Sequence, residues 1–129
     1  GSGVLMHICG QTDKIWNDLA DLGIAGMSID NVASITDCKN TIGSKTRILG
    51  NVDPGGIMYS GIPNDVRIKT LECILDGYDS PKGYTVMSGC SLPVETPFEN
   101  IDAMMDIVRE VGYPVDPDKV MFLINKYSH

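Results

Sequence analysis

The sequence has little of what marks proteins that bind nucleic acids, lie in membranes or are secreted. Its 129 residues contain 10 basic and 17 acidic side chains, giving a net charge of −7, and the basic residues form no cluster. Nucleic acids and anionic membrane surfaces attract clustered positive charge, so neither is expected as the main partner. No apolar run approaches the roughly 18 residues of a membrane-spanning helix, and we expect no cleavable leader. A cytoplasmic location is therefore predicted.

The chain contains four cysteines. Cys38 and Cys73 lie in segments whose pattern predicts helices, and nothing indicates secretion, so we expect reduced thiols rather than disulfides. The leading Gly1-Ser2 is typical of the remnant of a cleaved expression tag. Residues 3–129 are then predicted to form one domain, and a hydrophobic content of 43% is sufficient for a core.

The glycine-rich phosphate loops of nucleotide-binding folds are missing as well, because neither Gly-x-Gly-x-x-Gly nor a Walker loop follows the first apolar run. What is present is a regular alternation of apolar runs and helical periodicity, which predicts an α/β fold with a parallel sheet. A capping box is predicted at residues 96–99, with Pro97 as the first helical residue. The predicted strands cover about residues 4–9, 26–30, 47–53 and 84–90, and the predicted helices about 15–22, 32–42, 63–76, 97–111 and 120–124.

The stretch His7-Ile8-Cys9-Gly10, at the end of the first predicted strand, has the pattern of a metal site. Side chains two apart on a strand point to the same face, so the imidazole of His7 and the thiol of Cys9 emerge side by side. One imidazole and one thiolate suit zinc, and a third soft ligand would leave the fourth position open for a substrate. Cys90, after the fourth predicted strand, is the candidate third ligand. A buried structural cysteine beside a hydrogen-bonded histidine is the alternative.

Other polar residues also follow predicted strands, namely Asp30, Asn51 and Asp53. Barrel enzymes place their active sites at the carboxyl ends of successive strands, so this distribution favours half of a TIM (β/α)8 barrel, built from four β/α units, over a doubly wound sheet. All three are candidate catalytic residues. The structural alternative is that the two aspartates cap the following helices and that Asn51 braces a tight loop.

Three motifs carry a resemblance to a known family. They are His7-Ile8-Cys9-Gly10, Gly50-Asn51-Val52-Asp53-Pro54, and Ser88-Gly89-Cys90-Ser91-Leu92-Pro93 with residues 96–101 behind it. In this order they resemble the carboxyl-terminal half of the uroporphyrinogen decarboxylase superfamily, over about residues 4–111. The His-x-Cys pair and the distal Cys are similar to its zinc-dependent branch, the corrinoid-dependent methyltransferases such as the methylcobamide:coenzyme M enzymes.

The resemblance implies zinc held by His7, Cys9 and Cys90, with Asp30 as a possible fourth ligand or orienting carboxylate. It implies methyl transfer from a corrinoid carried by a partner protein to a small thiol such as coenzyme M, or to a folate. It also implies a missing amino-terminal half-barrel, without which the open sheet is expected to self-associate. The alternatives are a metal-free decarboxylase-like enzyme, and a fragment or split subunit that is inactive by itself.

Overall fold

The computed structural model describes residues 3–128, so the prediction for Gly1-Ser2 lies outside the described residues. Within this range, no helix is both long and apolar enough to cross a bilayer. The structure has a 3-10 turn at Asp13–Ile15 and a π-helical turn at Pro54–Tyr59. The strands are β1 (Leu5–Ile8), β2 (Gly26–Ile29), β3 (Arg47–Leu49) and β4 (Tyr84–Thr85), and the helices are α1 (Trp16–Ala20), α2 (Ile35–Ile42), α3 (Pro63–Gly77), α4 (Phe98–Val111) and α5 (Pro117–Tyr127).

The four strands form one parallel sheet in the order β1-β2-β3-β4. A doubly wound sheet reverses its strand order partway, whereas this sheet follows the order of the chain. Right-handed crossovers between strands in sequential order place the connecting helices on the same face of the sheet. The predicted α/β class, with a parallel sheet and four β/α units, is confirmed.

The core lies between this sheet and its helices. Met27 and Ile48 are neighbours in the register of β2 and β3, and both are almost fully buried. They belong to one apolar cluster with Trp16 from α1 and Ile35 from α2. Burying a large apolar side chain contributes roughly 1.5–3 kcal/mol, so this cluster holds the sheet to the helices.

The other face of the sheet is much more open. A Cβ added to Gly26 would lie 2.7 Å from the side chains of both Leu5 and Leu49, so the glycine on β2 leaves room for these leucines to approach each other. Leu5 remains 63% exposed. This face also carries His7 and Ser28, which are direct neighbours in the register of β1 and β2.

Several predicted boundaries were wrong; the third strand, for example, ends at Leu49 rather than near residue 53. The fourth strand ends at Thr85 rather than at Cys90, although parallel pairing resumes at one bridge between Val52 and Ser88. Helix α4 begins at Phe98, and the predicted capping box does not form. The hydroxyl of Thr96 donates to the carbonyl oxygen of Pro93 at 2.7 Å, and so closes a local turn instead of capping the helix.

All four cysteines are free thiols, as predicted, and Cys38 is fully buried on α2. Burial raises the pKa of the Cys38 thiol from 9.0 to about 12, because the thiolate would lose its hydration. At about pH 8 its thiolate fraction then falls about a thousandfold. We expect iodoacetamide at this pH to label Cys38 far more slowly in the folded chain than in the chain unfolded in urea, as measured by peptide mass spectrometry. Equal labelling rates in the two states would contradict the burial.

Candidate metal centre

The end of β1 and the loop after β4 bring three metal-ligating side chains together. The Nε2 atom of His7 lies 3.3 Å from the Sγ atom of Cys9, which in turn lies 3.3 Å from the Sγ atom of Cys90. All three ligand atoms lie within 4.8 Å of one another. The contact between the two thiols joins residues 81 positions apart in the chain. The predicted ligand set therefore converges on one place.

The donor set and its spacing fit a zinc ion. Zinc bonds of about 2.3 Å to sulfur and 2.0–2.1 Å to nitrogen, at tetrahedral angles, place two sulfurs about 3.8 Å apart and a nitrogen and a sulfur about 3.5 Å apart. The two observed contacts of 3.3 Å are about 0.2–0.5 Å shorter than these values, and all three ligand atoms lie within 4.8 Å of one another, so side-chain rotations would be needed to bring them onto one ion. Three protein ligands leave a fourth position for a substrate, as in catalytic rather than structural zinc sites.

The backbone around Gly89 places Cys90 in this cluster. The N–H of Gly89 donates to the carbonyl oxygen of Val52 at 2.8 Å, which ties the loop to the end of β3. The hydroxyl of Ser88 donates to the carbonyl oxygen of Cys90 at 2.6 Å. A Cβ on Gly89 would lie 2.5 Å from the backbone nitrogen of Asn31, so only glycine lets the two loops approach this closely.

The neighbours of Cys9 stabilise the protonated form of its thiol. The hydrogen bond with Cys90, followed by desolvation and by the negative charges of Cys90 and Asp30, raises the pKa of the Cys9 thiol. Two thiolates side by side repel each other, so without a cation the proton is retained. A coordinated metal reverses this balance, because its charge stabilises the thiolates directly.

The carboxylate of Asp30 braces the loop that carries Cys9. Its Oδ2 atom accepts a hydrogen bond from the backbone N–H of Gly10 at 2.7 Å. The group of possible ligand atoms contains His7, Cys9 and Cys90 but not this carboxylate. The observed contact is with the backbone of the loop, and the role of Asp30 towards a metal stays a prediction.

Asn51 and Asp53 hold the neighbouring loops in shape. The amide nitrogen of Asn51 donates to the carbonyl oxygens of Asp30 and Ala33, at 2.9 and 2.6 Å. Oδ1 of Asp53 accepts from the N–H groups of Gly55 and Gly56, both at 3.0 Å, and so caps the π-helical turn. These contacts match the bracing and capping roles that the sequence left open as alternatives.

A cavity of about 370 Å³ opens beside the cluster on the open face of the sheet. His7 and Cys90 line it together with the apolar side chains of Leu49 and Met87, and Ser28 is also at its wall. A larger cavity of about 770 Å³ lies along β4 and the ends of α3 and α4, away from the three ligands. The smaller cavity is the candidate substrate space, because it alone of these two reaches the cluster.

Ser28 is the site residue that the sequence reasoning missed. Its Oγ atom lies 2.8 Å from Nδ1 of His7, and the residue is only 6% exposed. The available signal was a polar residue inside the apolar run Gly26–Ile29, in a strand that pairs with the one carrying His7. The strand register, which shows that the two side chains are adjacent, was needed to recognise it.

Comparison with known proteins gives consistent matches. The sequence model of the uroporphyrinogen decarboxylase (URO-D) family matches residues 1–111. The chain is 34% identical over 110 residues to the methylated-thiol--coenzyme M methyltransferase of Methanosarcina mazei, covering 85% of this chain and 28% of that protein. It is 28% identical over 105 residues to a methylcobamide:CoM methyltransferase of Methanosarcina barkeri, covering 81% of this chain and 30% of that protein. It is 30% identical over 97 residues to the uroporphyrinogen decarboxylase of Photobacterium profundum, covering 74% of this chain and 26% of that protein.

A solved structure also matches, a methyltransferase from Methanosarcina mazei, with a TM-score of 0.74 and 28% sequence identity. The match covers 85% of this chain but 32% of that one. The chain therefore spans less than a third of the length of the methyltransferases it resembles. The predicted half of a (β/α)8 barrel is confirmed as a partial barrel.

Proposed function

This chain belongs to the uroporphyrinogen decarboxylase family, and we propose that it is the metal-binding part of a zinc-dependent methyltransferase. The proposed reaction moves a methyl group from a methylated corrinoid, carried by a partner protein, to a small thiol such as coenzyme M. The observation that carries this proposal is the convergence of His7, Cys9 and Cys90 within 4.8 Å. The coenzyme M methyltransferases among its relatives support the choice of reaction.

The donor set suits thiol activation. Zinc bound by one neutral imidazole and two thiolates would hold a substrate thiol at its fourth position and lower the pKa of that thiol below its usual value near 8.5. His7, Cys9 and Cys90 would hold the ion, and the cavity beside them would receive the acceptor. In the proposed roles, Asp30 orients the loop behind Cys9, while Asn51 and Asp53 brace the loops behind the next strands.

The proposed reaction is a balanced displacement. The thiol proton is released to water, and the sulfur forms a bond to the methyl carbon with its own electron pair. The cobalt–carbon bond breaks, and its electron pair stays on the corrinoid, so cobalt changes from the +3 to the +1 state. The products are a thioether and the reduced corrinoid on its carrier protein. A folate nitrogen is the alternative acceptor.

The open sheet supports the proposal that another protein segment or chain must cover its edges. In the described part of the chain, β1 and β4 each pair with one neighbouring strand, so both outer edges are free. Leu5 is 63% and Val4 59% exposed beside one of these edges. Free edges and exposed apolar side chains favour association, so we propose that an amino-terminal half-barrel, or a second copy of the chain, covers them. Without it, the fragment is proposed to be inactive.

A decarboxylase-like function is the second candidate, because uroporphyrinogen decarboxylases are also among the relatives. In this alternative His7 and Cys9 line a pocket that needs no metal. The two candidates differ in metal content, which can be measured without knowing the substrate.

The test of the proposed function is zinc-dependent thioether formation. We expect the zinc-loaded protein, supplied with the rest of its barrel, to methylate coenzyme M from methylcobalamin, as measured by chromatography of the product. Removing zinc with a chelator should abolish the reaction, and restoring zinc should recover it. Product formation that survives the removal of zinc, or the failure of the protein to bind zinc at all, would contradict the proposal.

A further inference from the structure

Ser28 occupies an unusual position for a polar residue. It lies in β2 between Met27 and Ile29, which are 1% and 0% exposed, and it is itself 6% exposed. A hydroxyl buried in a strand is costly unless it is hydrogen-bonded. The Oγ atom of Ser28 meets this requirement through His7, whose Nδ1 atom lies 2.8 Å away on the neighbouring strand.

The second contact of Ser28 favours one direction for this hydrogen bond. Its hydroxyl donates to the Sδ atom of Met87 at 3.9 Å. A serine hydroxyl carries a single proton, so while that proton points to Met87 the oxygen acts as an acceptor towards the imidazole. In that arrangement the proton on the ring of His7 would lie on Nδ1, and Nε2 would keep its lone pair. Nε2 is the nitrogen that lies 3.3 Å from the Sγ atom of Cys9.

We propose that Ser28 is a positioning residue that holds His7 in the Nδ1–H tautomer and so presents Nε2 to the metal. The metal rests on the proposed function, whereas the tautomer is a property of the metal-free chain. Partners that hold the second ring nitrogen of a histidine ligand fix its orientation and commonly change metal affinity by about 10–100-fold. Ser28 lines the cavity beside the cluster, but it is not one of the possible metal ligands, so its proposed effect on the metal passes through His7.

Ser80 provides a matched comparison within the same chain. It is also 6% exposed, but its Oγ atom has no hydrogen-bond partner among the described residues. Removing the hydroxyl from Ser80 tests what the loss of a buried serine hydroxyl does by itself. Removing the hydroxyl from Ser28 causes the same loss and in addition removes the contact with His7.

The first experiment observes the tautomer directly. The chain contains two histidines, so long-range proton–nitrogen correlation spectra of the imidazoles are simple, and His129→Ala assigns the signals of His7. At about pH 8.5, where an ordinary imidazole is neutral, we expect the metal-free chain to show His7 protonated on Nδ1. Ser28→Ala should shift His7 towards the Nε2–H form. Ser28→Thr keeps the hydroxyl and should show the same Nδ1–H form as the wild type. A wild-type His7 protonated mainly on Nε2 would overturn the inference.

The second experiment measures zinc affinity by competition with a chelator. Ser28→Ala is expected to weaken zinc binding about 10–100-fold, with Ser28→Thr close to the wild type and Ser80→Ala unchanged. Circular dichroism checks that each variant is folded. The tautomer of His7 is measured in the wild-type chain, so that result does not depend on the folding of any variant. An unchanged affinity in Ser28→Ala would overturn the inference. If the wild type binds no zinc, the proposed function fails, while the spectra still decide the role of Ser28.

Discussion

Replacing Cys90 with alanine is expected to reduce bound zinc from about one ion per chain to nearly none. The variant leaves His7 and Cys9 as the two remaining ligands of the cluster. These two ligands lie two positions apart on one segment and cannot enclose a zinc ion, and the charge of the second thiolate is lost with the side chain. Elemental mass spectrometry of the purified chain, after dialysis against a weak chelator, gives the stoichiometry.

The same loss is expected in Cys9→Ala, because its sulfur lies between the other two ligand atoms. Cys38→Ala is the matched control: it removes a thiol that is buried on α2 and is not part of the cluster. The control should keep its zinc. Stoichiometric zinc in both Cys9→Ala and Cys90→Ala would remove the assignment of this site and, with it, the thiol-activation chemistry.

Replacing Gly89 with alanine is expected to damage the metal site without touching a ligand. The new Cβ would lie 2.5 Å from the backbone nitrogen, 3.1 Å from the Cα atom and 3.2 Å from the Cβ atom of Asn31. These atoms belong largely to the backbone, so a side-chain rotation cannot relieve the contact. The loop that carries Cys90 must move instead, and overpacking of this kind typically costs about 1–3 kcal/mol.

We therefore expect Gly89→Ala to lower the free energy of unfolding in urea and to weaken zinc binding together. Gly55→Ala is the control, since a Cβ there would meet only the Oδ1 atom of Asp53, at an ordinary 3.9 Å. That variant should keep both its stability and its zinc. If Gly89→Ala bound zinc as tightly as the wild type, the close approach of the two loops would not be what positions Cys90.

The fold could be predicted from local patterns because each β/α unit is encoded within about 25–40 residues, where periodicity and end signals act. The boundaries were less predictable. Thr96 and Pro97 have the composition of a capping box. The carbonyl oxygen of Pro93, however, accepts a hydrogen bond from the hydroxyl of Thr96, and the helix begins at Phe98. Competition between local hydrogen bonds of similar energy decided this end, and composition does not reveal its outcome.

The sequence by itself determined that the side chains of His7 and Cys9 emerge on the same side of the chain at the end of a strand, because side chains alternate along an extended backbone. It also placed Cys90 after another strand of the same parallel sheet. The tertiary structure alone decided which neighbours these residues meet. The thiols of Cys9 and Cys90 are 81 positions apart in the chain, and Ser28 is 21 from His7. Such contacts depend on strand register and loop approach, which arise from packing of the whole sheet rather than from any local pattern.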